Sequence, residues 1–213
     1  MVIIYAVADA KRPVIVMIES FNQKLDRIIQ TNHTHVLLRI TPHLMRMPAP
    51  VKAYDDPFLP FGKLVINSTR DVVCGYVFDF PAYLAIGAAG VVALERTIAY
   101  VDRALITIID GQFSGAGYAH MADEGTFNAD ALILADDKHL PAYLTRPDRS
   151  AFVTYENTIM DNPHAGGIFS RMTDEMTIGD IRLKIVGDEV VYADGTANFG
   201  DSLHDKLLHM RDM

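Results

Sequence analysis

Apolar and polar positions between Asp56 and Asp110 alternate in a way that predicts helix, strand, helix, strand. An amphipathic segment, Phe61 to Arg70, leads into an apolar run at residues 72–77. A segment rich in small residues with a wide apolar face, Tyr83 to Tyr100, leads into a second run at 104–109 that stops at Asp110. Continuous apolar runs joined by helices predict parallel strands buried on both faces. Gly87, Ala88, Ala89 and Gly90 are expected to let the intervening helix approach that sheet closely. In such sheets the chemistry gathers at the strand ends.

The rest of the chain extends the pattern. Residues 14–18 form a short apolar run ending at Glu19 and read as the first barrel strand, with residues 1–7 as an added strand or a plug over the barrel floor. Phe21, Leu25, Ile28 and Ile29 recur at helical spacing. An irregular stretch, 31–56, holds His33, His35 and His43, and its residues 35–40 (HVLLRI) are a further candidate strand. Later apolar runs end at Asp136, at Glu156 and at Gly187-Asp188, and 167–170 is a candidate sixth strand. An amphipathic helix closes the chain. Strand and helix alternate without a long linker, which predicts one domain over residues 1–213.

Composition narrows the partners. A net charge of −8 argues against a nucleic-acid surface, which needs clustered Lys and Arg. No apolar run reaches the length of a membrane span, and the N-terminal residues lack the basic start of a signal peptide. The single cysteine, Cys74, lies inside an apolar run and reads as a buried thiol in a reducing compartment. The expectation is a soluble cytoplasmic protein acting on a small molecule. His33 and His35 could chelate a metal by spacing, but no Cys or carboxylate partner accompanies them.

The stretches DPFLPFGKLVINSTRDVVCGY and FPAYLAIGAAGVVALERTIAYV resemble the orotidine 5'-phosphate decarboxylase family, in particular its longer bacterial subgroup. That subgroup runs roughly DPFLPFNKAIIDATxDLVCAYKPN and AxxEALGAxGxxALExTIAYI. The likeness is dense over residues 56–110 and continues faintly to the final helix; AFVTYENTIMDNPHAG echoes the family's fifth strand. The resemblance implies an α/β fold of the (β/α)8 TIM-barrel type and a homodimer. Because the chain is shorter than that subgroup, it also implies a reduced or missing strand near residues 166–181.

The resemblance further implies a lysine that donates a proton to a developing carbanion, held in an alternating Lys-Asp-Lys-Asp array. The donor belongs to Asp-x-Lys-x-x-Asp at the end of the third strand. Here that motif aligns with Asp110-Gly111-Gln112-Phe113-Ser114-Gly115, so Asp110 is kept, Gln112 replaces the lysine and Gly115 the second aspartate. The other lysine, in CAYKPN, aligns with Val77 in CGYVFD, and the carboxylate after strand one with Glu19. A Val-Gly-Arg step whose arginine grips the 5'-phosphate becomes Val186-Gly187-Asp188.

Six proposed strand ends carry carboxylates: Glu19, Asp79, Asp110, Asp136, Glu156 and Asp188. Several could be helix N-caps instead. Taken as a shared acidic mouth, with Lys138, Arg171 and Lys184 as the nearby bases, they favour a repurposed lyase-type enzyme. Asp110 and Glu19 would then be the catalytic acid–base groups, and Gln112, Asp79, Asp136, Glu156, Gly187 and Asp188 would bind substrate. The ligand would be small and cationic or metal-bound, Mg²⁺ or Mn²⁺ suiting oxygen donors, although no residue is assigned as a metal ligand. The alternatives are a non-catalytic binding or assembly module and a working orotidylate decarboxylase of pyrimidine biosynthesis.

Overall fold

The computed structural model describes residues 4–7, 14–154 and 166–211. Strands β1 (Ile4–Val7) and β2 (Val14–Met17) form a separate antiparallel pair. Helix α1 (Phe21–Asn32) and strand β3 (Val36–Ile40) follow. Then come α2 (Ala49–Lys52), α3 (Phe58–Thr69), β4 (Gly75–Asp79), α4 (Phe80–Ala85), α5 (Ala88–Tyr100) and β5 (Ile106–Phe113). The second half adds β6 (Ala131–Leu134), α6 (Leu140–Tyr143), β7 (Ser150–Thr154), β8 (Gly167–Ser170) and β9 (Glu175–Ile178). It ends with β10 (Ile181–Val186), α7 (Asp188–Val191) and α8 (Phe199–Arg211).

Strands β3 to β10 close in sequence order into an eight-stranded barrel, the (β/α)8 architecture. Two expectations are corrected. The first barrel strand is β3, not residues 14–18, because β2 pairs with β1 outside the barrel. No strand is missing near 166–181, since that stretch supplies both β8 and β9. Strand β9 runs antiparallel to both neighbours, whereas the other ladders of the barrel are parallel. Antiparallel neighbours need only a tight turn, while a parallel connection needs a crossover of about a dozen residues or more. A short chain thereby completes its barrel with two hairpins, turning through Asp174 (φ 50°) and Gly179 (φ 55°).

The side-chain pattern follows. Strands β4 and β6 are buried along their apolar residues, as both faces are covered. In β10, Leu183 and Ile185 are buried while Arg182 and Lys184 are exposed, the alternation of a strand with one wet face. Val73, Cys74, Ile106, Ile108, Leu132, Ile133, Val153 and Ile185 are all buried, as the apolar runs require.

Helix α1 closes the N-terminal end of the barrel. Ser20 and Gln23 form a reciprocal capping box at its start, and Phe21, Leu25 and Ile28 face inward. Phe21 meets Phe152 of β7 edge-on at 6.0 Å, and its backbone N–H donates to Pro147 O at 2.8 Å. Lys24 grips both oxygens of Asp130 at 2.8 Å, and Asp130 also accepts from the N–H and hydroxyl of Thr107 at the start of β5.

The helix expected from Tyr83 to Tyr100 is two helices, broken at Gly87 with φ 84°. Gly90 is the close-approach residue: a Cβ there would lie 2.0 Å from the Tyr83 carbonyl. Its contact is thus with α4. Gly87, Ala88 and Ala89 are exposed and do not draw a helix onto the sheet as expected.

Cys74 donates its thiol to Thr34 O at 2.8 Å, and burial pushes its pKa up to about 12. A thiol of that kind is protonated and shielded at neutral pH. The native protein should therefore resist a colorimetric disulfide reagent at pH 8 and react stoichiometrically in urea. Because the folded state holds this proton more tightly, its contribution to stability is full below about pH 8.5 and fades as pH rises. Rapid labelling without denaturant would show that the thiol is not enclosed.

Candidate functional site

Register decides which side chains reach the barrel mouth. Tyr76 points outward and shares a hydrogen bond of 2.9 Å with Thr69 of α3. Its neighbours Val77 and Asp79 must therefore point inward. Val77 is level with Arg39 on β3 and Ile108 on β5, and Asp79 with Asp110, which places Arg39 and Asp110 on the inward face too. There Arg39 Nη1 donates to Asp110 Oδ2, with the two side chains 19% and 7% exposed. The guanidinium also lies 5.8 Å from the ring centre of Phe169 on β8.

Above this pair the mouth opens into two lobes that share Arg39, Asp79 and Asp174. The larger, about 560 Å³, adds Asp110, Gln112, Phe169 and Arg171. The smaller, about 300 Å³, adds Thr41, His43, Gly187, Asp188 and Glu189. Ligand pockets commonly fall within that size range. In the smaller lobe Asp188 accepts from Arg46 Nη1 at 2.9 Å and lies 2.8 Å from His43 Nε2. Arg46 sits 4.4 Å over the ring of Tyr192, which stacks on Phe61 of α3 at 5.6 Å. The Tyr192 hydroxyl donates to Thr41 O at 2.6 Å and accepts from the His43 N–H at 2.9 Å. Burial raises its pKa, so it stays a neutral strut.

The carboxylates singled out by sequence do not form one acidic ring. Asp110 and Asp79 share the larger lobe, though Asp79 also caps α4 by accepting from Ala82 N at 3.1 Å. Gly187 and Asp188 line the smaller lobe. Gln112 reaches the larger one from a break in the β5 ladder, where the register shifts between Asp110 and Phe113. Asp136 accepts from Lys138 N at 3.1 Å in a turn and lines neither lobe. Glu156 falls outside the described residues.

Glu19 lies just before α1, at the opposite end of the barrel from Asp110. It binds Arg27 through two contacts of 2.8 and 2.9 Å, and that bond holds its carboxyl below the usual range. Its expected catalytic place depended on residues 14–18 being strand one. The residue that follows the true strand one is Thr41. Arg39, Arg46 and Arg171 interleave with the remaining acids at the mouth. Among the described residues no cluster of three or more His, Cys, Asp or Glu side chains is disposed to hold a metal ion.

Arg39 is the functional candidate that sequence patterning passes over. Its only signal is a single charge inside HVLLRI. A buried Arg in a strand demands a carboxylate partner, and that demand could have marked it.

Curated relatives bear on what this mouth does. The chain is 29% identical over 157 residues to an orotidine 5'-phosphate decarboxylase from Thermomicrobium roseum, covering 70% of this chain and 54% of that protein. Identity to the Herpetosiphon aurantiacus enzyme of the same name is 28% over 142 residues, or 62% and 52% of the two chains. The chain is thus similar in sequence to orotidine 5'-phosphate decarboxylases over part of their length. No protein-family model matches it. A Toxoplasma gondii structure assigned as an orotidine-monophosphate decarboxylase superposes with a TM-score of 0.59 at 21% identity, covering 67% of this chain and 51% of that one, which speaks for the barrel alone. The chain spans about half the length of the decarboxylases it matches.

These relatives overturn the expectation of a repurposed lyase for a cationic or metal-bound ligand. The names they carry are those of orotidylate decarboxylases, and the mouth is a mixed-charge site in place of the expected acidic one. Among the described residues no helix is long and apolar enough to cross a membrane.

Proposed function

We propose that this barrel binds orotidine 5'-phosphate at its mouth and releases the carboxyl group as CO2. The observation that carries the reading is Arg39, a cation fixed inside the barrel against Asp110. Loss of CO2 leaves an electron pair on the ring carbon, which then takes a proton from water at the open mouth, the hydroxide returning to solvent. A fixed positive charge in a partly dry cavity stabilises such a centre as the charge develops. Arg39 supplies the positive charge of the lysine array that the resemblance implies, whose positions are held here by Val77 and Gln112, and not the array's proton. Asp110 keeps the guanidinium oriented.

The two lobes match the two ends of a nucleotide. In this reading the base occupies the larger lobe beside Arg39, and the 5'-phosphate the smaller one. There Arg46 offsets the charge of Asp188 and His43 lies against its carboxylate, so the aspartate does not face the dianion alone. Support for the substrate comes from the names of the curated relatives.

The test is to follow orotidylate absorbance with purified protein while titrating UMP by calorimetry. Turnover together with UMP binding is expected. UMP binding without turnover would favour a non-catalytic nucleotide-binding module, and neither would overturn the reading.

A further inference from the structure

Gln112 is held in an unusual way. The β5 ladder pairs Asp110 with Ile133 and Phe113 with Leu134, so Gly111 and Gln112 bulge out between them. Gln112 takes a left-handed backbone, φ 46°, which a residue with a side chain rarely adopts without a reason. Bulges of this kind re-aim side chains next to sites. The result places Gln112 on the larger lobe with Arg39 and Asp110. Its amide nitrogen is buried and has no hydrogen-bond partner among the described residues. A strained backbone and an unsatisfied buried donor both cost stability, and the fold gains nothing visible from either.

We propose that Gln112 is a specificity-determining residue whose amide N–H donates to an uncharged oxygen acceptor of the ligand, of the ring-carbonyl class. This rests on the reading that the mouth binds a pyrimidine nucleotide. A carboxamide suits the role because it donates without adding charge beside the Arg39–Asp110 pair. With the amide turned about χ3 its nitrogen faces the lobe, and a ligand carbonyl supplies the acceptor that it lacks. Gln112 then selects among nucleotides by what they present at that point, since a site built around a donor rejects ligands without the matching acceptor.

The experiment compares UMP binding by calorimetry in the natural protein, Gln112→Leu and Gln112→Glu, with thermal melting of each. Gln112→Leu should weaken UMP by about tenfold, as for one lost hydrogen bond, while melting no lower than the natural protein. Gln112→Glu keeps the shape, removes the donor and should weaken UMP at least as much. Equal UMP affinity in all three proteins would overturn the assignment while leaving nucleotide binding intact. Lower melting of Gln112→Leu with unchanged affinity would make Gln112 structural and overturn it too. Failure of the natural protein to bind UMP would overturn the nucleotide reading, and this assignment with it.

Discussion

Arg39→Met should destabilise the protein by about 3 kcal/mol and reduce orotidylate turnover by roughly 10²–10³-fold. The side chain is similar in length, so packing is largely conserved and the loss is one of charge. Asp110, 7% exposed, would keep its carboxylate with no cation beside it. Removing one member of a buried pair leaves the other uncompensated, and that penalty usually exceeds the net worth of the intact pair. Arg39 retains 19% exposure, so the cost falls at the low end of the range for breaking such a pair. The double variant with Asp110→Leu should recover much of the stability and none of the turnover. Urea unfolding of the three proteins decides the matter. A single variant as stable as the natural protein, or a double variant less stable than the single one, would mean that water solvates Asp110 and the pair is incidental.

Phe152→Ala should cost about 3–5 kcal/mol, the range for truncating a large buried aromatic residue. Phe152 is 0% exposed and follows Asp110 and Ile133 along the inward-facing register of the sheet. Its ring is also where Phe21 seats α1 on the barrel. The cavity would thus form inside the barrel and beneath its floor together, a place with little freedom to collapse. Denaturant unfolding measures the loss. A cost below about 1 kcal/mol would mean that α1 closes the floor without this contact, through Lys24–Asp130 and the Phe21 N–H.

The central part of the fold was legible because β4 and β5 are buried on both faces and read as continuous apolar runs. Asp110 was found by the same rule, as the charge that interrupts such a run. Strand one was harder, because residues 14–18 and 35–40 are both short apolar runs, and only pairing separates a barrel strand from an outside hairpin. Taking 14–18 as strand one puts Glu19 in the site and leaves Arg39 out of it. The stretch 166–181 was obscure for another reason: β8 and β9 have four residues each, too few for any periodicity to declare itself. Carboxylates at strand ends were legible as positions and not as roles. Asp79 and Asp136 take backbone N–H groups in caps and turns, an engagement that depends on local geometry.

The ladder between β10 and β3 joins residues 184–186 to residues 36–38, so the barrel is fastened shut by a seam between strands far apart in sequence. Directly above it, the smaller lobe takes Thr41 and His43 from one side and Gly187 and Asp188 from the other. Tyr192 and Arg46 already stitch the two sides together. Any molecule seated in that lobe would touch both edges and act as a clasp. Occupancy and closure would then be one equilibrium, with the filled mouth resisting separation of the first and last strands by as much as the ligand prefers the closed form.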